Sequence, residues 1–183
     1  MLKEIEVKYL SNDINIEKFH AQVVTLPELK SYKTASSYDH YYSNNERFMR
    51  WRVGSEFWQL TSKTKTSDTN NIVRTEVNID LSREPTKDEM DTFSKMHKLD
   101  EDFTIYKTAR IYFFEKFIIA YYITYDTNMK ERERFIEIEA AETYKWIDDN
   151  EAKAVVEDIE KQLGLSPMNR LKLSLFERYS KRS

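Results

Sequence analysis

The chain has 183 residues, 40% of them hydrophobic and 33% charged, and its 32 acidic and 29 basic residues leave a formal net charge of -3. That length suits one domain with a real core, and so balanced a charge is unlike that of a general nucleic-acid binder. With no cysteine, disulfides, thiolate catalysis and cysteine-ligated zinc are excluded; with only Gly54 and Gly164, so are the glycine-rich phosphate cradles of P-loop and Rossmann folds.

The first element, E-I-E-V-K-Y-L at 4–10, alternates charged and apolar residues. A strand sends alternate side chains to opposite faces. Ile5, Val7 and Tyr9 therefore share one face, and Glu4, Glu6 and Lys8 the other. A helix is expected over 16–24, then a loop at Pro27. S-Y-D-H-Y-Y at 37–42 is rich in strand-forming aromatics. Phe48–Val53 puts Arg50 and Arg52 opposite Met49, Trp51 and Val53. The next run, 57–66, sets Thr61, Lys63 and Lys65 on one face. In 72–81, Arg74, Glu76, Asn78 and Asp80 alternate with Val73, Val77 and Ile79.

Thr86 and Glu89 form a capping box for a helix reaching about Lys98. Strands are expected again at 108–115, 117–126 and 134–140. In the last, Glu137 and Glu139 alternate with Ile136 and Ile138. A helix follows over 149–163, stopped by Gly164. Ser166-Pro167 opens a final helix with Met168, Leu171 and Leu175 on one side. The longest apolar stretch, Phe113 to Tyr125, is broken by Glu115 and Lys116, so a cytoplasmic protein without membrane contact is expected.

Charged strand faces usually look at water. Here, however, like charges are grouped by strand: Glu4 with Glu6, Arg50 with Arg52, Lys63 with Lys65, Glu137 with Glu139. Grouped like charges repel, and solubility alone does not require the grouping. A closed barrel with a polar interior does. Cations at Arg50, Arg52, Lys63, Lys65, Arg74 and Arg110 suit a polyanion, since guanidinium forks match phosphate oxygens. Carboxylates at Glu4, Glu6, Glu137 and Glu139 suit a hard divalent cation such as Mg2+ or Mn2+.

These motifs, in this order, resemble the CYTH superfamily, the triphosphate tunnel metalloenzymes. E-I-E-V-K at 4–8 matches its ExExK signature. R-W-R at 50–52, L-T-S-K at 60–63, R-T-E at 74–76, Y-K-T-A-R at 106–110, Asp126 and E-I-E at 137–139 resemble its successive charged strands. K-L-S-L-F-E at 172–177 is similar to its closing helix. The resemblance spans nearly the whole chain and implies an α+β fold: an eight-stranded antiparallel β-barrel with helices packed outside, as a single domain over 1–183. It implies metal ligands at Glu4, Glu6, Glu76, Asp126, Glu137 and Glu139. It implies phosphate binding by Arg50, Arg52, Lys63, Arg74 and Arg110, with Glu4, Glu6, Lys8 and Lys65 at the catalytic centre. The implied activity is Mg2+- or Mn2+-dependent hydrolysis of a triphosphate or nucleotide. Cyclisation of ATP, and nucleotide or polyphosphate binding without turnover, are the alternatives.

The sequence departs from the family pattern at three places. Asn78 stands where many members carry a carboxylate, M-K-E-R-E-R at 129–134 replaces a glycine-containing stretch, and Leu175 replaces a tyrosine beside Ser174. The 129–134 run reads as a solvated turn before it reads as an RNA 5′-end contact. Tyr38, Tyr41, Tyr42, Trp51 and Trp58 are the aromatics available to stack a base, although packing is their commoner fate. His20, His40 and His97 lack metal-ligand spacing. Monomer and homodimer are both open.

Overall fold

The structure, a computed structural model, describes residues 3–55, 57–64 and 73–180, with backbone alone at 3, 4, 63, 64 and 73–76. Eight antiparallel strands run as β1 (Lys3–Leu10), β2 (Ser31–Ser43), β3 (Arg47–Gly54), β4 (Trp58–Thr64), β5 (Val73–Asp80), β6 (Asp100–Phe113), β7 (Phe117–Tyr125) and β8 (Glu131–Ala140). They close into a barrel in the order β1-β5-β4-β3-β2-β6-β7-β8. The seam is β1, whose residues 3–5 pair with β5 and residues 6–10 with β8.

Closure follows from the alternation. The outward side chains of β1, Ile5, Val7 and Tyr9, join Ile119, Tyr121, Ile136 and Ile138 in one apolar layer. Two helices cover it: α1 (Ile16–Val23) with Phe19 and Val23, and α3 (Asp149–Gln162) with Ala152, Val156 and Ile159. Asn15 caps α1 and Asp148 caps α3, each accepting two backbone N–H bonds. Gly164 stops α3 at φ 69°, a left-handed conformation that glycine adopts without strain. A second layer, Tyr42, Met49, Trp51 and Leu60, lies under α2 (Lys87–Met96) through Met90. The Thr86–Glu89 capping box starts α2 as expected. With their apolar faces buried outside, the strands turn their charged faces inward.

Three elements differ from the expectation. β2 and β6 are much longer than 37–42 and 108–115, pairing from Ser31↔Phe113 to Ser43↔Asp100. The last helix is not continuous from Pro167. Pro167–Asn169 is a single 3-10 turn, and the next helix, α4, covers only Leu175–Tyr179. Between them Arg170 binds Glu160 through two bonds, and the Leu171 N–H donates to the Lys8 carbonyl. These contacts draw the chain into extended form until Ser174 recaps a helix. Among the described residues no helix is long and apolar enough to cross a membrane.

Candidate functional site

The inward faces enclose a cavity of about 340 Å³. Its charged lining comes from Glu6 and Lys8 (β1), Arg50 and Arg52 (β3), Lys107 (β6), and Glu137 and Glu139 (β8). In the barrel order, β8 and β1 lie across from β3 and β2. Acidic and basic side chains therefore form opposed walls.

On the acidic wall, register sets Glu6 opposite Glu139 and Lys8 opposite Glu137. Facing carboxylates repel, so a cation belongs beside them. Lys8 supplies one: its Nζ lies 2.6 Å from Glu137 and 3.5 Å from Glu6. Tyr122 donates its hydroxyl to Glu137 at 2.9 Å. Burial pushes the Glu137 carboxyl up, but Lys8 outweighs it and, with the charge of Lys107 and the Tyr122 bond, holds it below the usual carboxylate range. Burial, then the charges of Glu137 and Glu6, drive the Tyr122 phenol well up, so it stays a donor.

On the basic wall, Arg52 grips Asp39 with two bonds of 2.9 and 3.0 Å. Lys107 Nζ lies 2.5 Å from the same carboxylate, and the Ser37 hydroxyl donates to it at 3.3 Å. Asp39 is 0% exposed. Burial opposes its charge, yet Arg52, Lys107 and Arg50 hold the carboxyl far below its ordinary value. Lys107 is brought down to about 7 by burial and by Arg52, with Asp39 pulling the other way. Arg50 donates to Thr61 at 2.9 Å, and Thr61 donates to Asn78 at 2.7 Å. Asn78 thus ends a relay that orients Arg50.

One end of the cavity is apolar. Tyr41, Phe48, Leu175 and Phe176 line it, and Phe48 stacks on Phe176 with ring centroids 4.3 Å apart. Leu175 and Phe176 belong to α4, which is fastened by Arg178 and Tyr179 on Glu133. Of the five aromatics noted for base stacking, Tyr41 alone lines this cavity among the described residues. Trp51 instead donates to Ser94 under α2, and Tyr42 to Asp91.

Glu6, Lys8, Arg50, Arg52, Glu137 and Glu139 thus line one cavity. Glu4, Lys63, Arg74 and Glu76 are placed by register only, Glu4 opposite Arg74 and Lys63 opposite Glu76. Lys65 lies outside the described residues. Two expectations are corrected. Arg110 sits on the outward face of β6, 3.3 Å from Glu17 of α1, because it lies an odd number of positions, three, after inward-facing Lys107. Asp126 accepts the N–H groups of Asn128 and Lys130, both at 2.9 Å, and so fixes the β7–β8 turn rather than joining the carboxylates of the cavity. Lys107 and Asp39 are the site residues that the strand pattern did not single out. The 129–134 run is a turn and strand start in which Arg134 pairs with Glu131. His20 and His40 bond to Tyr112 and Thr104 respectively.

The donor set suits a hard divalent cation: oxygen ligands only, with Glu6 facing Glu139 across one ladder. Among the described residues no three His, Cys, Asp or Glu side chains converge as a preformed cage.

No protein-family model matches the chain, and no curated protein matches it in sequence. Solved structures do match. The PH1012 protein of Pyrococcus horikoshii is 18% identical with a TM-score of 0.76, covering 97% of this chain and 99% of that one. A provisionally assigned adenylate cyclase of Vibrio parahaemolyticus is 14% identical with a TM-score of 0.68, covering 95% of each chain. A chain of the Schizosaccharomyces pombe Mediator head module is 13% identical with a TM-score of 0.63, covering 89% of this chain and 95% of that one. These likenesses establish a shared fold. The α+β barrel expected from the CYTH resemblance is the fold present. A fold hosts more than one function, so the activity has to be argued from the cavity.

Proposed function

We propose that this chain is a metal-dependent phosphohydrolase acting on a triphosphate-containing substrate. The observation that carries the reading is the pair of opposed walls, cationic on β3 and β6 and carboxylate on β1 and β8, around one cavity. Phosphoryl transfer needs positioning and charge stabilisation more than covalent chemistry from the protein. Arg50, Arg52 and Lys107 neutralise phosphate oxygens, joined by Lys63 and Arg74 from β4 and β5. Thr61 and Asn78 orient Arg50; Asp39 holds Arg52. A Mg2+ or Mn2+ ion would be held by Glu6 and Glu139, with Glu4, Glu76 and Glu137 as further donors, and would supply a Lewis acid at the phosphate oxygens. Lys8 and Tyr122 keep Glu137 ionised and fixed in place.

The test is a substrate panel of inorganic triphosphate, ATP, thiamine triphosphate and 5′-triphosphate RNA, each with magnesium or manganese, with products identified. Orthophosphate release is expected, and Glu6→Gln with Glu139→Gln abolishes it. Cyclic AMP with pyrophosphate would replace hydrolysis by cyclisation. Metal-dependent binding with the ligand intact after long incubation would make the chain a polyphosphate-binding protein, a reading to which the carboxylate missing at Asn78 lends support. Activity unchanged in the double variant would sink the site assignment.

A further inference from the structure

A carboxylate taken wholly out of water needs partners on every side. Asp39 has them, and two are the cavity cations Arg52 and Lys107. Arg52 spends its Nε–H and one Nη2–H on Asp39, which leaves the two N–H groups of Nη1 and the second of Nη2 as donors for a ligand. Lys107 reaches Oδ2, the carboxylate oxygen that also accepts Arg52 Nη2, and lies over the Tyr122 ring, 5.3 Å from its centroid. Side by side, these two cations repel; Asp39 is the charge between them. It stands on the middle strand of three, with Arg52 directly opposite on β3 and Lys107 diagonally placed on β6, where its ladder partner is Ser37.

We propose that Asp39 is a positioning residue that holds Arg52 and Lys107 as one preset fork for a single phosphate group of the ligand. It touches no ligand itself and works through the two cations. The inference rests on the phosphate-binding reading of the cavity, and its test separates the two.

Asp39→Asn keeps the size and one acceptor but removes the charge. Wild type, Asp39→Asn, Lys107→Met and the double variant are titrated calorimetrically with inorganic triphosphate in magnesium buffer, after circular dichroism and melting confirm folding. Expected is binding by the wild type, a loss of about tenfold or more in Asp39→Asn, and a double variant much less impaired than the product of the two single losses. Affinity of Asp39→Asn within about twofold of wild type, or strictly multiplicative losses, overturns the proposal. If Asp39→Asn fails to fold, the double variant, in which Arg52 is the one cation of the pair left without its carboxylate, is compared with Lys107→Met: binding weaker by about threefold or more supports the proposal through Arg52, and affinity equal to that of Lys107→Met overturns it. Absence of binding by the wild type sinks the phosphate reading alone. The fork is then tested without ligand, by following the Lys107 side-chain carbon signal against pH. Removing Asp39 should move its titration to lower pH, and an unmoved titration overturns the proposal.

Discussion

On the β1–β8 wall one ammonium, Lys8, stands among Glu6, Glu137 and Glu139; on the opposite wall one carboxylate, Asp39, stands among Arg50, Arg52 and Lys107. The two arrangements differ in where the odd charge sits. Lys8 lines the cavity itself, whereas Asp39 is sealed within the wall at 0% exposure. A ligand reaches the counter-ion of the acidic wall but not that of the basic one. The basic wall is therefore preset from behind. The acidic wall is neutralised from inside the cavity, where a bound cation competes with or adds to Lys8.

The largest effect is expected of Arg52→Ala. It removes a phosphate donor and leaves Asp39 with half its support. Expected are a fall of about 100-fold in kcat/KM for triphosphate and a loss of about 3 kcal/mol in unfolding free energy, read by steady-state kinetics and denaturant titration. Next is Lys8→Met, which strands Glu137 and Glu6. The depressed Glu137 carboxyl contributes stability that is present above its ordinary value of 4.5 and lost as pH falls through its folded value. Lys8→Met should thus cost about 2 kcal/mol near neutrality, with the difference from wild type closing in acid. A gap that persisted into acid would show that Lys8 does not compensate Glu137.

On the basic wall Lys107 gives the opposite pH dependence. Its folded value of about 7 lies below its ordinary 10.5, so folding disfavours its charge. The cost is fully present below about 7 and vanishes as pH rises through 10.5. Across that window the wild type should gain about 1 kcal/mol or more on Lys107→Met, measured by denaturant unfolding at a series of pH values. Smallest of all is Arg110→Ala, outside both walls. Its pair with the 70%-exposed Glu17 is worth at most about 0.5 kcal/mol, and kcat/KM should stay within about twofold of wild type.

Most of the acidic wall was legible because β1 and β8 alternate strictly, and Ile or Val on one face obliges Glu on the other to face inward. Asp39 was not, because tyrosines flank it on both faces of β2 and no alternation marks its side. Lys107 was lost to a boundary: the polar opening D-E-D-F-T of β6 conceals a strand that pairs along its full length with β2. The inward parity of β6 therefore fell to the wrong basic residue, Arg110. Asp126 misled for a local reason, since an aspartate just past a strand end satisfies turn N–H groups as readily as a metal. The C-terminal break at Arg170 depends on Glu160 and on the Lys8 carbonyl, partners that local periodicity does not reveal.

The seam at β1 has a consequence for the order of events during synthesis. Glu6 leaves the ribosome well before its ladder partner Glu139, which lies near the end of the last strand. Pairing so distant in sequence is slow to form, because a long loop must close before any contact rewards it. While the intervening strands are being made, β1 has no β8 to pair with, and Ile5, Val7 and Tyr9 lack most of their apolar layer. The acidic wall, and any metal site on it, comes into being only when the barrel closes. A nascent chain still lacking β8 already carries Asp39, Arg52 and Lys107 on strands β2, β3 and β6, whose mutual pairings need no residue of β8.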